Sequence, residues 1–394
     1  MERTRTMGLL AVAGGLAVAS VYYAPPLLDV MAADLGMARA TVGTVVTATQ
    51  VGYGVGLALV VPLGDLLDRR RLVVGQVALS SAALAAVAVA PSGRWLLGAL
   101  AAVGVLAVVT QVLVAHAAGL ADTADRGGAV ATVTGGIVVG ILLARVVAGT
   151  VADVAGWRAV YAVAAVLALV MAAVLHRALP RREQRRVRLS YPDLLKSTAR
   201  LLVEVPVLRK RAVLALLTFA AMTVLLTPMA LPLTASGLST TEIGLFGLAG
   251  AAGALGAVRA GRGRPHHVTT TGLAVMLVAW LPAALLPFSL WGLVIGVVVF
   301  DFGLQSVHVA GQTLVQQAHD AAPSRLTAVY MIFYSIGSAA GAAASTAMYA
   351  AAGWTGVCAL GAGISLVALV FPLLGRKRHD PLPHGRRPLL PRGR

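Results

Sequence analysis

The chain has 394 residues, of which 12% are charged and 58% are hydrophobic, and its formal net charge is +17. Soluble domains have about 25% charged residues, so this composition excludes both a soluble globular domain and a disordered chain. A transmembrane helix uses about 20 residues, and about twelve crossings would account for the apolar content. The composition therefore predicts an all-α polytopic membrane protein with twelve transmembrane helices.

Apolar stretches bounded by charged and turn residues predict two sets of six spans. The first set is 7–28, 40–63, 72–90, 95–118, 129–152 and 158–178. The second set is 212–234, 241–258, 268–287, 290–314, 327–351 and 356–374. The chain is thus predicted to have an N-terminal six-helix bundle (1–178), a basic cytoplasmic linker (179–211), a C-terminal six-helix bundle (212–374) and a disordered basic tail (375–394).

The linker contains one segment with helical periodicity. Residues 191–204 place apolar side chains at Leu194, Leu195, Leu201 and Leu202, which is consistent with an amphipathic helix on the inner leaflet. A solvated linker without a function of its own is the alternative.

Lysine and arginine are concentrated on one side of the predicted spans. With both termini in the cytoplasm, 28 of the 32 basic residues fall on the cytoplasmic side, as the positive-inside rule requires. Arg39, Arg94 and Arg158 fall outside, and Arg145 lies within a span. The positive charge is therefore expected to face the anionic lipids of the inner leaflet, and nucleic acid is not needed as a partner.

The two halves repeat the same landmarks. The Gly-Trp pair at 156–157 recurs at 353–354, and Gly140 recurs as Gly337, in both cases at an offset of 197. Some secondary transporters consist of two such repeats related by an axis along the membrane normal. The repeat predicts two pseudo-symmetric six-helix bundles.

The loop after the second span reads Gly-Asp-Leu-Leu-Asp-Arg-Arg-Arg over 64–71. Through Gly64, Asp68 and Arg69 it resembles the signature loop of the major facilitator superfamily, commonly Gly-x-x-x-Asp-Arg-x-Gly-Arg-Arg, although Arg71 replaces the second glycine. The resemblance implies that these three residues form a latch that closes the cytoplasmic side in one conformation. An ordinary positively charged loop is the alternative. The equivalent loop of the second half lacks an acid at the position of Asp68.

The fifth span is rich in glycine, with Gly135, Gly136, Gly140 and Gly149. It resembles the fifth span of the drug:proton antiporter branch, although the usual Gly-Pro pair of that branch is absent. Stretches 22–28, 140–145 and 301–305 resemble a largely uncharacterised bacterial subgroup near this twelve-span branch. The resemblance covers nearly the whole chain, and it implies the major facilitator fold, a bacterial cytoplasmic membrane and a monomer.

Two ionisable residues lie deep within predicted spans, where charge is costly and usually functional. They are Arg145 in the fifth span and Asp301 in the tenth. Asp301, Gln305, His308 and Gln312 form one polar stripe at helical spacing, which we expect to face a cavity between the bundles. A buried structural hydrogen-bond network is the alternative, and Asp301 pairing with His308 is a further one.

Other polar residues are within reach of such a cavity: Tyr22, Tyr23, Gln50, Tyr53, Gln111, Thr223, Thr227, Tyr330 and Tyr334. The sequence has no metal-ligand spacing, no phosphate-binding loop and no nucleophile–base–acid set, so neither a cofactor, a metal nor an enzyme activity is expected.

These features predict a secondary active transporter that works by alternating access. We expect it to export a small, moderately apolar molecule in exchange for protons. Asp301 is expected to carry the coupling proton and Arg145 to tune its protonation, and His308 is the third candidate proton-coupling residue. The alternative is import of a metabolite by proton symport or facilitated diffusion, and a membrane enzyme or sensor scaffold is a remote one.

The charge distribution generates a prediction of topology. In a background lacking Cys358, Ser92→Cys and Ser190→Cys are expected to react with a membrane-impermeant maleimide from opposite sides, with position 190 on the cytoplasmic side. Labelling of both positions from outside intact cells would contradict this arrangement.

Overall fold

Long apolar segments can satisfy their backbone hydrogen bonds inside a membrane only as helices or closed barrels. The computed structural model describes residues 2–38, 41–120, 125–179, 190–246, 265–286, 288–316, 318 and 323–376, and its regular structure there is helical. Eight helices in these ranges are long and apolar enough to cross a membrane. Most of the predicted span 241–258 and the tail from 377 lie outside the described residues.

The first half consists of long and short helices. They are α1 (Glu2–Tyr22), α2 (Ala24–Asp34), α3 (Thr44–Leu59), α4 (Leu63–Leu66), α5 (Arg69–Ala88), α6 (Gly93–Ala107), α7 (Val109–Leu120), α8 (Arg126–Ala155) and α9 (Trp157–Ala178). Helices α1 and α2 form one span that is interrupted at Tyr23, because Pro25 and Pro26 have no N–H to donate to the preceding turn.

The second half follows a short linker helix, α10 (Tyr191–Glu204). Its helices are α11 (Pro206–Leu226), α12 (Ala230–Ala235), α13 (described at residues 240–246), α14 (Pro265–Val278), α15 (Trp280–Ala283), α16 (Leu290–Gln316) and α17 (Pro323–Arg376). Helix α17 contains two predicted spans, which meet at Gly353, where φ is 62°. Glycine tolerates this left-handed conformation without steric cost.

The first span is longer than its hydropathy predicts. It continues beyond 28 to Asp34, and the next span begins at Thr44 rather than at 40. Because Asp29 and Asp34 are charged, the sequence around them looks like a loop after the span. The helix nevertheless continues to Asp34 and ends before Gly36, where φ is 62°.

Among the described residues, four glycines with positive φ lie in turns on one side of the molecule: Gly36, Gly156, Gly237 and Gly353. We call this side the opposite face, and the side with the start of α1, the α4–α5 turn and α10 the terminal face. Gly156 and Gly353 are separated by 197 residues, so the repeat in the sequence is also a repeat of turn geometry.

Each half contains a tight helix crossing in which glycine removes the side chain between two backbones. At the crossing of α1 and α8, Gly15 packs directly against Gly136 and Gly140. At the crossing of α11 and α17, Gly337 and Gly341 pack against the α11 backbone. Small residues allow such close approach in membranes, and the matching positions in the two halves are consistent with pseudo-symmetric bundles.

Helix α10 has the bounds expected from its periodicity, but its apolar side packs against protein. Leu194 and Leu201 are buried. The Tyr191 hydroxyl donates to the carbonyl oxygen of Leu59 in the first half (2.7 Å), and Arg325 of the second half donates to the Ser197 hydroxyl (2.8 Å). The linker helix therefore contacts both halves at the terminal face.

The α1–α8 crossing generates a prediction of stability with a neighbouring residue as its control. A Cβ at Gly136 would collide with the Ala11 carbonyl oxygen, whereas a Cβ at Gly135 would meet no atom within 4 Å. Gly136→Ala is therefore expected to lower the free energy of unfolding by about 1–3 kcal/mol. Gly135→Ala is expected to leave it unchanged or raise it by up to about 1 kcal/mol, because alanine is the better helix former.

Thermal unfolding of both variants in detergent measures the difference. Equal melting temperatures for the two variants would contradict the close packing at this crossing.

Candidate functional site

The two ionisable residues within the spans come from different halves and act on each other electrostatically. Arg145 lies on α8 and Asp301 on α16, and the charge of each affects the other. Both lie in the described part of the chain, where no direct ion pair joins them. The Arg145 guanidinium lies 5.8 Å from the centre of the Tyr22 ring, a distance at which a cation is attracted to an aromatic face.

Aromatic side chains join the halves next to this pair. The Tyr22 hydroxyl of α1 is 3.2 Å from the Tyr334 hydroxyl of α17, within hydrogen-bonding distance. The Tyr334 ring also packs edge-on against Tyr53 of α3 (6.5 Å between centroids) and Phe219 of α11 (4.0 Å). We call Tyr22, Tyr53, Phe219 and Tyr334 the aromatic cluster.

Two glutamines from the first half extend the aromatic cluster with polar groups. Gln111 donates through Nε2 to the Tyr53 hydroxyl at 3.4 Å. Gln50 is 5% exposed, and its Oε1 has no hydrogen-bond partner among the described residues. A buried acceptor without a donor costs about 1–3 kcal/mol. Gln50 can therefore accept a hydrogen bond from a bound molecule at a net gain.

The polar stripe of α16 makes contacts along its length. Gln305 interacts with the Asp301 carboxyl one turn away. His308 Nδ1 is 3.1 Å from the Tyr330 hydroxyl, and its ring packs against Phe219 with centroids 5.0 Å apart. The contact partner of the His308 imidazole is thus Tyr330 and not Asp301. Gln312 Nε2 lies 3.9 Å from the Met331 sulfur.

Three further residues expected to line the cavity are buried: Tyr23, Thr223 and Thr227. The Tyr23 ring packs against Tyr161 (6.0 Å) and lines a small crevice within the first half. The Thr223 hydroxyl donates to carbonyl oxygens of its own helix and packs against Gly341. Thr227 is buried at the end of α11. The Thr223 hydroxyl is thus already used by the backbone of α11.

A small, narrow crevice between the halves reaches Arg145. Its other lining residues come from both halves: Pro25, Pro26, Leu226, Met229, Ala230 and Ile243. Apart from the guanidinium, these side chains are apolar. Arg145 is therefore the polar end of an otherwise apolar crevice between the halves.

Phe219 is a central residue that the sequence analysis did not select. It contacts both His308 and Tyr334, so it connects the polar stripe of α16 with the aromatic cluster. Its signal in the sequence was weak, because a single phenylalanine in an apolar span usually faces lipid or core. It lies one turn before Thr223, and that spacing places the two on similar faces of α11.

The signature loop is tied within the first half. Asp68 caps α5 by accepting a hydrogen bond from the Arg70 N–H at 2.9 Å, and it lies 3.8 Å from Arg71 Nε. Arg69 donates to the carbonyl oxygens of Gly64 (3.3 Å) and Ala115 (3.2 Å). The loop is thereby fixed to α7.

Comparisons with known proteins agree on a family. A model described as the Major Facilitator Superfamily matches residues 10–323. The chain is 44% identical over 378 residues to the "Uncharacterized transporter YgaY" of Escherichia coli O157:H7, covering 94% of the chain and 96% of the relative. It is 34% identical over 376 residues to the "Probable transporter SCO4007" of Streptomyces coelicolor, covering 91% and 84%.

Two solved structures have a similar fold. A bacterial homolog of the human lysosomal transporter Spinster, in an inward-facing and unoccupied conformation, superposes with a TM-score of 0.75 at 15% identity, covering 95% of both chains. The human organic anion transporter MFSD10 superposes with a TM-score of 0.68 at 16% identity, covering 94% of this chain and 99% of that one.

Proposed function

Since the chain belongs to the major facilitator superfamily, we propose that it is a proton-coupled exporter of a small, moderately apolar molecule. Its fold and its relatives make it a membrane-embedded secondary transporter of small molecules. Proton coupling, the direction of transport and a cytoplasmic terminal face are the parts that we add.

The observation that carries proton coupling is the placement of Arg145 and Asp301 in different halves. Their mutual electrostatic effect depends on the distance between the halves, which alternating access changes. Burial favours a neutral carboxyl group, and a nearby cation favours a carboxylate. Movement of the halves can therefore drive proton uptake and release at Asp301.

The chemistry of the site supports an apolar ligand with few polar groups. The aromatic cluster offers ring faces, and Gln50 and Gln111 offer an acceptor and a donor. The crevice that reaches Arg145 is lined mainly by apolar side chains. At these apolar surfaces most hydrogen-bonding groups of a highly polar solute would lack a partner. A moderately apolar molecule can stack on the rings and bond to the few polar groups.

Asp301→Asn tests the proton site. A panel of fluorescent, moderately apolar compounds in efflux-deficient cells identifies an exported probe, and proteoliposomes with an imposed pH gradient then measure its accumulation. Asp301→Asn is expected to abolish pH-driven accumulation and to retain exchange of the probe across the membrane, because the amide keeps the shape but does not titrate.

Asp29→Asn is the matched control, because it neutralises another half-buried carboxylate, on α2, outside the cluster. It is expected to accumulate the probe like the parent. If Asp301→Asn still builds a gradient, the proton travels by another route. If the pH gradient drives the probe in the same direction as the protons, the transporter is an importer.

Asp68→Asn tests the latch role that we propose for Gly64, Asp68 and Arg69. Asparagine also caps helices well, so the change removes charge but retains the α5 cap. We expect lower turnover at similar protein abundance and greater accessibility of the cavity from the terminal face. Asp193→Asn, an exposed acid on α10, is the control, and parental turnover and accessibility in Asp68→Asn would remove the latch assignment.

A further inference from the structure

Asp153, in the last turn of α8, accepts three hydrogen bonds from the beginning of α13 in the other half. Its donors are the backbone N–H of Thr240 (3.1 Å), the backbone N–H of Thr241 (2.8 Å) and the Thr241 hydroxyl (2.6 Å). The first N–H groups of a helix have no partner in that helix, and they carry a partial positive charge. A carboxylate of the first half thus caps a helix of the second half.

The local cap of α13 is incomplete without Asp153. Ser239 and Glu242 form a capping box, in which the Ser239 hydroxyl accepts from the Glu242 N–H (3.2 Å) and the Glu242 carboxylate accepts from the Ser239 N–H (2.8 Å). The N–H groups of Thr240 and Thr241 are the two that this box leaves over. They are paired with protein only while the halves are together at the opposite face.

Asp153 lies at the end of a close contact between α8 and α13 that leads to Arg145. One turn before Asp153, Gly149 packs against the Thr240 carbonyl, and a further turn away Gly244 packs against the Arg145 carbonyl. Arg145, Gly149 and Asp153 recur every four residues on one side of α8, over about 12 Å. Separation of α8 from α13 at the opposite face therefore breaks the Asp153 hydrogen bonds and uncovers the path to Arg145.

The pseudo-symmetric contact between α3 and α17 contains no acid. The offset of 197 places Ala350 at the position equivalent to Asp153. In that contact, Gly43 packs against Ala342, and the Thr47 hydroxyl donates to the Ala339 carbonyl oxygen at 3.0 Å. Of these two described contacts at the opposite face, the α8–α13 contact is the one in which a charged side chain, that of Asp153, accepts hydrogen bonds from the other half.

We propose that Asp153 is an anionic clasp that holds the opposite face closed, and that its protonation from the aqueous compartment on this face favours the conformation open to that compartment. Asp153 is a positioning residue, because it acts on α13 and contacts neither a substrate nor a transported ion. The inference applies to any coupling ion and any substrate, so it stands apart from the function proposed above.

The sign of the pH dependence follows from the contacts of Asp153. Partial burial raises the pKa of this carboxyl group, but the hydrogen bonds from Thr241 and Thr240 outweigh burial, so the pKa lies below its usual range. The closed state therefore favours the ionised form. The clasp is fully formed above the ordinary carboxyl pKa of about 4 and is lost as the pH falls below it.

Asp153 is exposed to water, so protons have access to it. The other charged groups on the described elements around it are Asp29, Asp34, Arg158 and Glu242 at this face, and Arg145 about 12 Å away along α8. Asp34 is paired with Arg158, and the Glu242 carboxylate is bound to the Ser239 N–H. These groups define which other titrations the experiment has to separate from that of Asp153.

Double electron–electron resonance on the purified full chain tests the clasp. It measures the distance between spin labels on Val154→Cys and Ser236→Cys in a Cys358→Ala background. Both positions are exposed, and they lie on either side of the contact. At about pH 7 Asp153→Asn is expected to raise the long-distance fraction about two- to fivefold, as for loss of a charge at an exposed helix N-terminus. Acidification to about pH 3, below the ordinary carboxyl pKa, is expected to raise it in the parent and not in Asp153→Asn.

Thr47→Val is the matched control, because it weakens the neutral contact of the other pair of helices; it should keep the parental pH response. Thr241→Val removes one donor and should shift the distances in the same direction as Asp153→Asn, but less, which keeps the proposal testable if Asp153→Asn does not fold. Parental distances in Asp153→Asn or in Thr241→Val would overturn the clasp. A full pH response in Asp153→Asn would assign the titration to another acid and would also overturn it.

Discussion

The cost of placing charge in hydrocarbon governs where the two halves of this molecule meet. Arg145 and Asp301 are deep within their spans, so each has to face protein rather than lipid. They lie on α8 and α16, in different halves, and their mutual effect stabilises each charge only while those halves are close. The aromatic cluster and the glutamines surround the same interface. Ionisable, aromatic and amide side chains are thereby concentrated at one interface.

Glycine determines how closely the helices around that interface approach. Gly15, Gly136 and Gly140 bring α1 against α8, and Gly149 and Gly244 bring α8 against α13. Helix α8 thus has close backbone contacts on two sides, one within its half and one between halves. Any relative movement of the halves at the α8–α13 contact therefore involves a helix that is also closely packed against α1.

Hydropathy and spacing predicted the helical fold, the bounds of α10 and the repeat, because these depend on local periodicity and on the cost of burying polar backbone. They did not distinguish Tyr22 from Tyr23, since neighbouring residues differ by about 100° around a helix and both are tyrosine. Only the packing of α1 decides that Tyr22 meets Tyr334 whereas Tyr23 meets Tyr161. The roles of Phe219 and Asp153 were also beyond reach, because they depend on contacts between residues about 90 positions apart in the chain.

The interruption of the first span at Tyr23 has a mechanical consequence. Pro25 and Pro26 cannot donate to the carbonyl oxygens of Val21 and Tyr22, so two backbone hydrogen bonds of the helix are already missing at this point. Changing the angle between α1 and α2 therefore costs packing but no further backbone hydrogen bonds. Because this interruption adjoins Tyr22, the angle of α2 is not fixed by the contact that holds α1 against Gly136 and Gly140.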